Sequence, residues 1–177
     1  MRILCYHGTG LLSWFIRTRT WSQISHVSQL LNDGTEIEAW SGGVQHNKPW
    51  GILHKDGTVV DVYDYVTPLT PVQALKIESF LLEQVGKPYD VWGLFRFLPI
   101  VRFFARSSNE VKAWFCSELC MESNEAAGIY LIRKEAFQTT PEDISASPLL
   151  IKVDTWVCGE KQPIARLDMS RFQVALA

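Results

Sequence analysis

The run Ser25-His26-Val27-Ser28-Gln29-Leu30-Leu31 alternates polar and apolar side chains, stops at Asn32-Asp33-Gly34, and resumes as Thr35-Glu36-Ile37-Glu38-Ala39-Trp40. Period-two alternation marks a half-buried strand, and an Asp-Gly pair between two such runs marks a β-hairpin. A chain with this hairpin is committed to an antiparallel sheet. The hairpin also decides which side chains can meet. Successive residues of a strand face opposite ways, so His26 and Ser28 share one face, while Glu36, Glu38 and Trp40 share a face of their own. A two-residue Asp33-Gly34 turn would set Gln29 opposite Glu38 and carry the carboxylate to the side away from His26. A three-residue loop Asn32-Asp33-Gly34, with Gly34 left-handed, pairs Leu31 with Thr35, Ser28 with Glu38 and His26 with Trp40. The odd-length connection, or a compensating bulge, is expected here, against the usual preference of Asp-Gly for the shorter turn.

Around the hairpin the chain reads as a strand over 2–6, a helix over 10–20, one or two strands within 51–66, and a strand near 149–157. Pro71 opens an amphipathic helix with Val72, Leu75, Ile77, Phe80, Leu81 and Val85 at helical spacing, and Gly86 closes it. Residues 90–106 are strongly apolar and helical in two pieces, broken at Pro99. Another helix runs over 115–127, and 158–177 has no clear period. The 177 residues, 47% of them hydrophobic, suffice for one sizeable core and read as a single domain over 1–177. A net charge of −2 gives no electrostatic footprint for nucleic acid. The opening Met1-Arg2-Ile3-Leu4-Cys5-Tyr6 is too short an apolar run for a signal peptide, so a cytoplasmic location and reduced thiols are expected for the four cysteines.

Cys116 carries the chemical interest. It lies at the start of the helix Cys116-Ser117-Glu118-Leu119-Cys120, where unpaired backbone N–H groups and the helix dipole favour a thiolate over a thiol. His26, in a strand far upstream, is a residue type that can take its proton. Cys116 is therefore expected to have a depressed pKa and to be alkylated well before Cys5, Cys120 or Cys158. Cys120, one turn deeper, reads as core. The remaining histidines offer less: His7 runs into a glycine-rich turn, and His46 and His54 sit in a polar stretch that reads as surface loop or hairpin. No zinc spacing occurs, Gly8-Thr9-Gly10 lacks the lysine of a phosphate loop, and no cofactor is expected. The stretch Val91 to Ala105 is too short to span a bilayer and reads as core, with an exposed apolar wall for lipid contact over 91–106 as the competing reading.

The order Ser-His-Val, Ile-Glu-Ala, Gly86-Lys87-Pro88-Tyr89-Asp90 and Phe115-Cys116-Ser117-Glu118-Leu119, followed by Thr140-Pro141-Glu142-Asp143-Ile144, resembles the circularly permuted branch of the NlpC-like papain-fold cysteine peptidases, relatives of the lecithin:retinol acyltransferase-like proteins. The resemblance spans about residues 1 to 155. It implies an α+β papain-like fold, an antiparallel sheet packed against helices, with the nucleophile at a helix N-terminus. It further implies Cys116 as nucleophile, His26 as base and Glu38 as the group that orients the imidazole, with Tyr89 and Ser25 at the substrate cleft. The implied reaction is hydrolysis of an amide, in a cell-wall-type or other small peptide, through a thioester acyl-enzyme. Acyl transfer or lipid-amide hydrolysis by the same three residues is the alternative enzyme reading, and a catalytically silent binding module the alternative of another class.

Overall fold

Six strands hydrogen-bond into one antiparallel sheet in the order β4-β3-β2-β1-β5-β6: β1 Arg2–His7, β2 His26–Leu30, β3 Glu36–Trp40, β4 Gly43–Asn47, β5 Val59–Tyr65 and β6 Leu150–Val157. The computed structural model describes residues 1–10, 13–14, 17–18, 22–90 and 113–160. The apolar segment 91–106, with its expected helices and lipid contact, lies outside the described residues, as does most of 158–177.

The β2–β3 hairpin has the odd-length connection. Gln29 pairs with Ile37 and Leu30 with Glu36, and the Leu31 N–H donates to the Thr35 carbonyl at 2.8 Å. Gly34 is left-handed at φ 83°, and Asp33 Oδ1 accepts from the Thr35 N–H (2.9 Å) and hydroxyl (2.7 Å), which closes the loop from within. Glu36 and Glu38 thereby come to the same side of the sheet as His26 and Ser28.

Each face of the sheet has its own core. Ile3, Cys5, Val27, Ile37 and Ala39 pack against the helices, whereas Leu4, Tyr6, Leu30, Val60 and Val62 are covered by Trp50, Trp156 and Cys158. On the helical side, α1 (Pro71–Gln84) starts with Thr70 and Gln73 capping each other's backbone N–H groups at 3.2 and 3.0 Å. Its buried residues are Ile77, Leu81 and Gln84, while Val72 and Leu75 are exposed. The apolar stripe is thus narrower than the sequence spacing implies. The central helix α2 (Cys116–Ala126) packs on β2, β3 and α1, and buries every residue from Cys116 to Met121. A short 3-10 turn at Ala136–Gln138 and α3 (Pro141–Ser145) complete this layer.

The Gly-Lys-Pro-Tyr-Asp segment is a strap between the sheet edge and α2. Val44 N–H donates to the Lys87 carbonyl and Gly86 N–H to the Val44 carbonyl, both at 2.9 Å. Trp114 N–H and Asp90 N–H then bond Pro88 and Trp114 carbonyls at 2.9 and 3.0 Å, which fixes the residues just before Cys116. Gly43, at φ 107°, lets the strap lie close, since a Cβ there would meet the Lys87 carbonyl oxygen at 2.6 Å.

Candidate active site

Cys116 is the first residue of α2, after Phe115 in extended conformation at the N-cap, and no side chain caps this helix end. The backbone N–H groups of Val27, Ser117 and Cys116 itself favour the thiolate, but burial is the larger effect and pushes the thiol up to about 12. This corrects the expectation of a depressed pKa: a helix start lowers a thiol only where water reaches it, and Cys116 is 1% exposed. Cys5, Cys120 and Cys158 are also free, buried and raised by burial.

His26 opens β2. Its Nε2 lies 2.7 Å from Glu38 Oε2, with the imidazole 2% and the carboxylate 0% exposed at the side chain. Burial lowers His26 below the ordinary imidazole value, although Glu38 works the other way. Burial alone would raise Glu38, yet hydrogen bonds from His26 and His54 reverse this and hold its carboxyl below the usual range. An anionic carboxylate only accepts, so His26 carries its proton on Nε2 and Nδ1 is left as the basic nitrogen. Trp40 packs edge-on against the imidazole, ring centres 4.8 Å apart, and Tyr6 lies at 5.4 Å, so apolar rings shield the pair from water. The thiol meets β2 at Val27, whose side chain faces the helices, whereas His26 and Glu38 face the other side of the sheet with Tyr6, and no hydrogen bond joins Cys116 to His26.

The other two residues expected at the site differ. Tyr89 stands next to the thiol side of the site, its ring 5.9 Å from Phe115, and is 9% exposed. Ser25 is 1% exposed, and its hydroxyl is engaged within the fold, accepting from the Gly8 N–H at 3.0 Å and donating to the Tyr6 carbonyl at 3.3 Å.

Three residues escaped the sequence reading. His54 is no surface residue: its side chain is 4% exposed and its Nε2 lies 2.9 Å from the same Glu38 oxygen that His26 contacts. Asn47 Nδ2 donates to the other oxygen, Oε1, at 2.8 Å. Glu36, fully buried one pair along β3, accepts from the Tyr6 and Ser28 hydroxyls and from the Gly51 N–H, and burial together with the Glu38 charge raises its pKa. Strand β4, which delivers Asn47, has only the weak alternation Gly-Val-Gln-His-Asn. His54 reaches Glu38 from a loop, which leaves no periodic trace.

No protein-family model matches the chain. Among curated proteins it is similar to the probable lipoprotein peptidase YaeF of Escherichia coli strain K12, 25% identical over an alignment of 169 positions that covers 80% of this chain. The match takes in 61% of that relative, so the chain spans about three fifths of its length. Among solved structures it is similar to one titled metalloprotein YiiX from Escherichia coli O157:H7, with a TM-score of 0.62 at 20% identity, over 92% of this chain and 97% of that one. The α+β architecture with its six-stranded antiparallel sheet is thus a fold already seen in a solved structure. Among the described residues no helix is long and apolar enough to cross a membrane.

Proposed function

We propose that this chain is a cysteine hydrolase of the papain-like, NlpC-related type, in which Cys116 attacks an amide carbonyl, His26 moves the proton and Glu38 holds the imidazole. The observation that carries the reading is the 2.7 Å bond from His26 Nε2 to a buried carboxylate, with Nδ1 left basic in the residue next to Val27, where the thiol packs. A thiol pushed up to about 12 and an imidazole lowered by burial do not exist as a resting ion pair. Proton transfer therefore accompanies attack, as it does for a serine nucleophile.

In the first half-reaction the Cys116 sulfur bonds to the carbonyl carbon as its proton passes to His26 Nδ1. Backbone N–H groups at the start of α2 are the donors for the developing oxyanion. Collapse breaks the C–N bond, the amine leaves with the proton from His26, and a thioester remains. Water then attacks the thioester, giving a proton to His26, and the thiol is regenerated with release of the acid. Glu38 stabilises the imidazolium in both halves without being protonated.

The word peptidase in the name of the YaeF relative points the substrate toward peptides, and cell-wall-type and other small peptides are the first to try. A panel of such peptides, with products identified by mass spectrometry, tests the reading. Wild-type protein is expected to cleave at least one, with Cys116→Ser and His26→Ala slower by roughly 10³-fold or more. Cleavage by both variants at the wild-type rate would overturn it.

A further inference from the structure

His54 has no part in the reaction just described, yet it is built into the same carboxylate as firmly as His26. Its Nε2 contacts Glu38 Oε2 at 2.9 Å against 2.7 Å for His26, and the two nitrogens and a Glu38 oxygen all lie within 4.8 Å of one another. Two imidazole nitrogens and a carboxylate oxygen converging on one point are the donor set of a three-ligand zinc-type site. The ligands are also held from behind. Asn47 fixes the far oxygen of Glu38 at 2.8 Å, and Tyr6 stacks on His54 with ring centres 3.9 Å apart and planes 16° from parallel. Trp40 lies against both imidazoles, at 4.8 and 4.7 Å. Such outer contacts are what orient metal ligands.

Charge argues the same way. Glu36 and Glu38 are both fully buried on one side of β3, and among the described residues neither has a Lys or Arg partner. A carboxylate buried without a cation is costly, and a divalent ion at Glu38 would offset it. The fit is close in length as well. Ligands at about 2.0–2.2 Å from a tetrahedral ion stand roughly 3.4 Å apart, so an ion would spread the 2.7 and 2.9 Å contacts slightly and bring the two nitrogens, now within 4.8 Å, to that spacing.

We propose that His26, Glu38 and His54 form a binding site for a zinc-type divalent cation, with one position left for a non-protein ligand, and that loading it silences the thiol. Coordination through Nε2 moves the proton of the neutral His26 ring to Nδ1. Nδ1 then carries the proton, so it cannot take one from Cys116. Only this silencing rests on the hydrolase reading; the binding stands apart from it.

Cobalt(II) is a suitable probe, since its visible absorption reports four-coordinate nitrogen and oxygen ligation. Chelator-treated full-length chain, titrated with cobalt chloride, is expected to take up one equivalent with visible bands and no thiolate charge-transfer band. Cys116→Ala should leave the spectrum unchanged. Glu38→Gln should abolish it, as should His54→Gln, which keeps an amide donor toward Glu38 but no ligating nitrogen. Far-UV circular dichroism of the variants confirms that they are folded, and the wild-type spectrum is decisive if they are not. Absence of the visible bands, a charge-transfer band, or an unchanged spectrum in folded His54→Gln would overturn the site. Where a cleaved peptide is in hand, zinc should inhibit wild-type at least tenfold more strongly than His54→Gln, and equal inhibition would overturn the silencing. If cobalt binds as described and no peptide is cleaved with or without metal, the hydrolase reading fails and the site survives.

Discussion

Glu38 is the residue on which the account turns, because every one of its contacts is to a group with a part in the site. One oxygen takes His26 and His54, the other takes Asn47. Replacing it by Gln preserves shape but gives His26 Nε2 a partner that can also donate, so the imidazole loses its fixed tautomer. A drop in kcat/KM of about 10²–10⁴ is expected for Glu38→Gln, by analogy with loss of a triad carboxylate. His26 sets the pH dependence. It must be neutral to accept the thiol proton, and burial has lowered its pKa from the ordinary 6.5. Activity should therefore persist into mild acid, with the acidic limb of kcat/KM falling below pH 6.5. A limb at or above neutrality would mean that another group is the base.

At the scale of elements, the three-residue loop at Asn32-Asp33-Gly34 puts His26 and Glu38 on one face. Gly34 is left-handed at φ 83°, with open space about its Cα, so Gly34→Ala has no clash to relieve and meets only the backbone strain. A loss of about 1–2 kcal/mol in urea unfolding is expected. No loss would show that the loop is not held in this form. The hairpin and the start of α2 were legible in the sequence because each depends on local pattern, alternation about an Asp-Gly pair in the one and a helix start in the other. The positions of His54 and Asn47 were not. They follow from a loop drawn in by the Gly51 N–H on Glu36 and from a short edge strand, and both are long-range consequences of packing. Burial hid the state of the Cys116 thiol in the same way, since helix position is local and desolvation is not.

For the whole molecule, two buried groups of the site pull stability in opposite directions with pH. His26 has a folded pKa below its unfolded value, so the unfolded chain gains more protons and stability is lost as pH falls below 6.5. Glu36 has a folded pKa above its unfolded value of 4.5, so its contribution is present in acid and lost as pH rises through the folded value. Between about pH 5 and pH 7 these slopes oppose each other. Glu36→Gln removes one of them, and its urea midpoint should rise across that interval more steeply than that of wild type. Parallel curves would show that Glu36 does not titrate there.

The central claim is that a thiol at the start of α2 is acylated with help from His26, and an activated ester tests it without knowledge of the natural substrate. The protein is incubated with p-nitrophenyl acetate, quenched in acid, digested and mapped by mass spectrometry. The account predicts one acetyl group on Cys116, formed far more slowly in His26→Ala and absent in Cys116→Ser. Acetyl groups on Cys5, Cys120 or Cys158 instead, or equal labelling of Cys116 in wild type and His26→Ala, would contradict it.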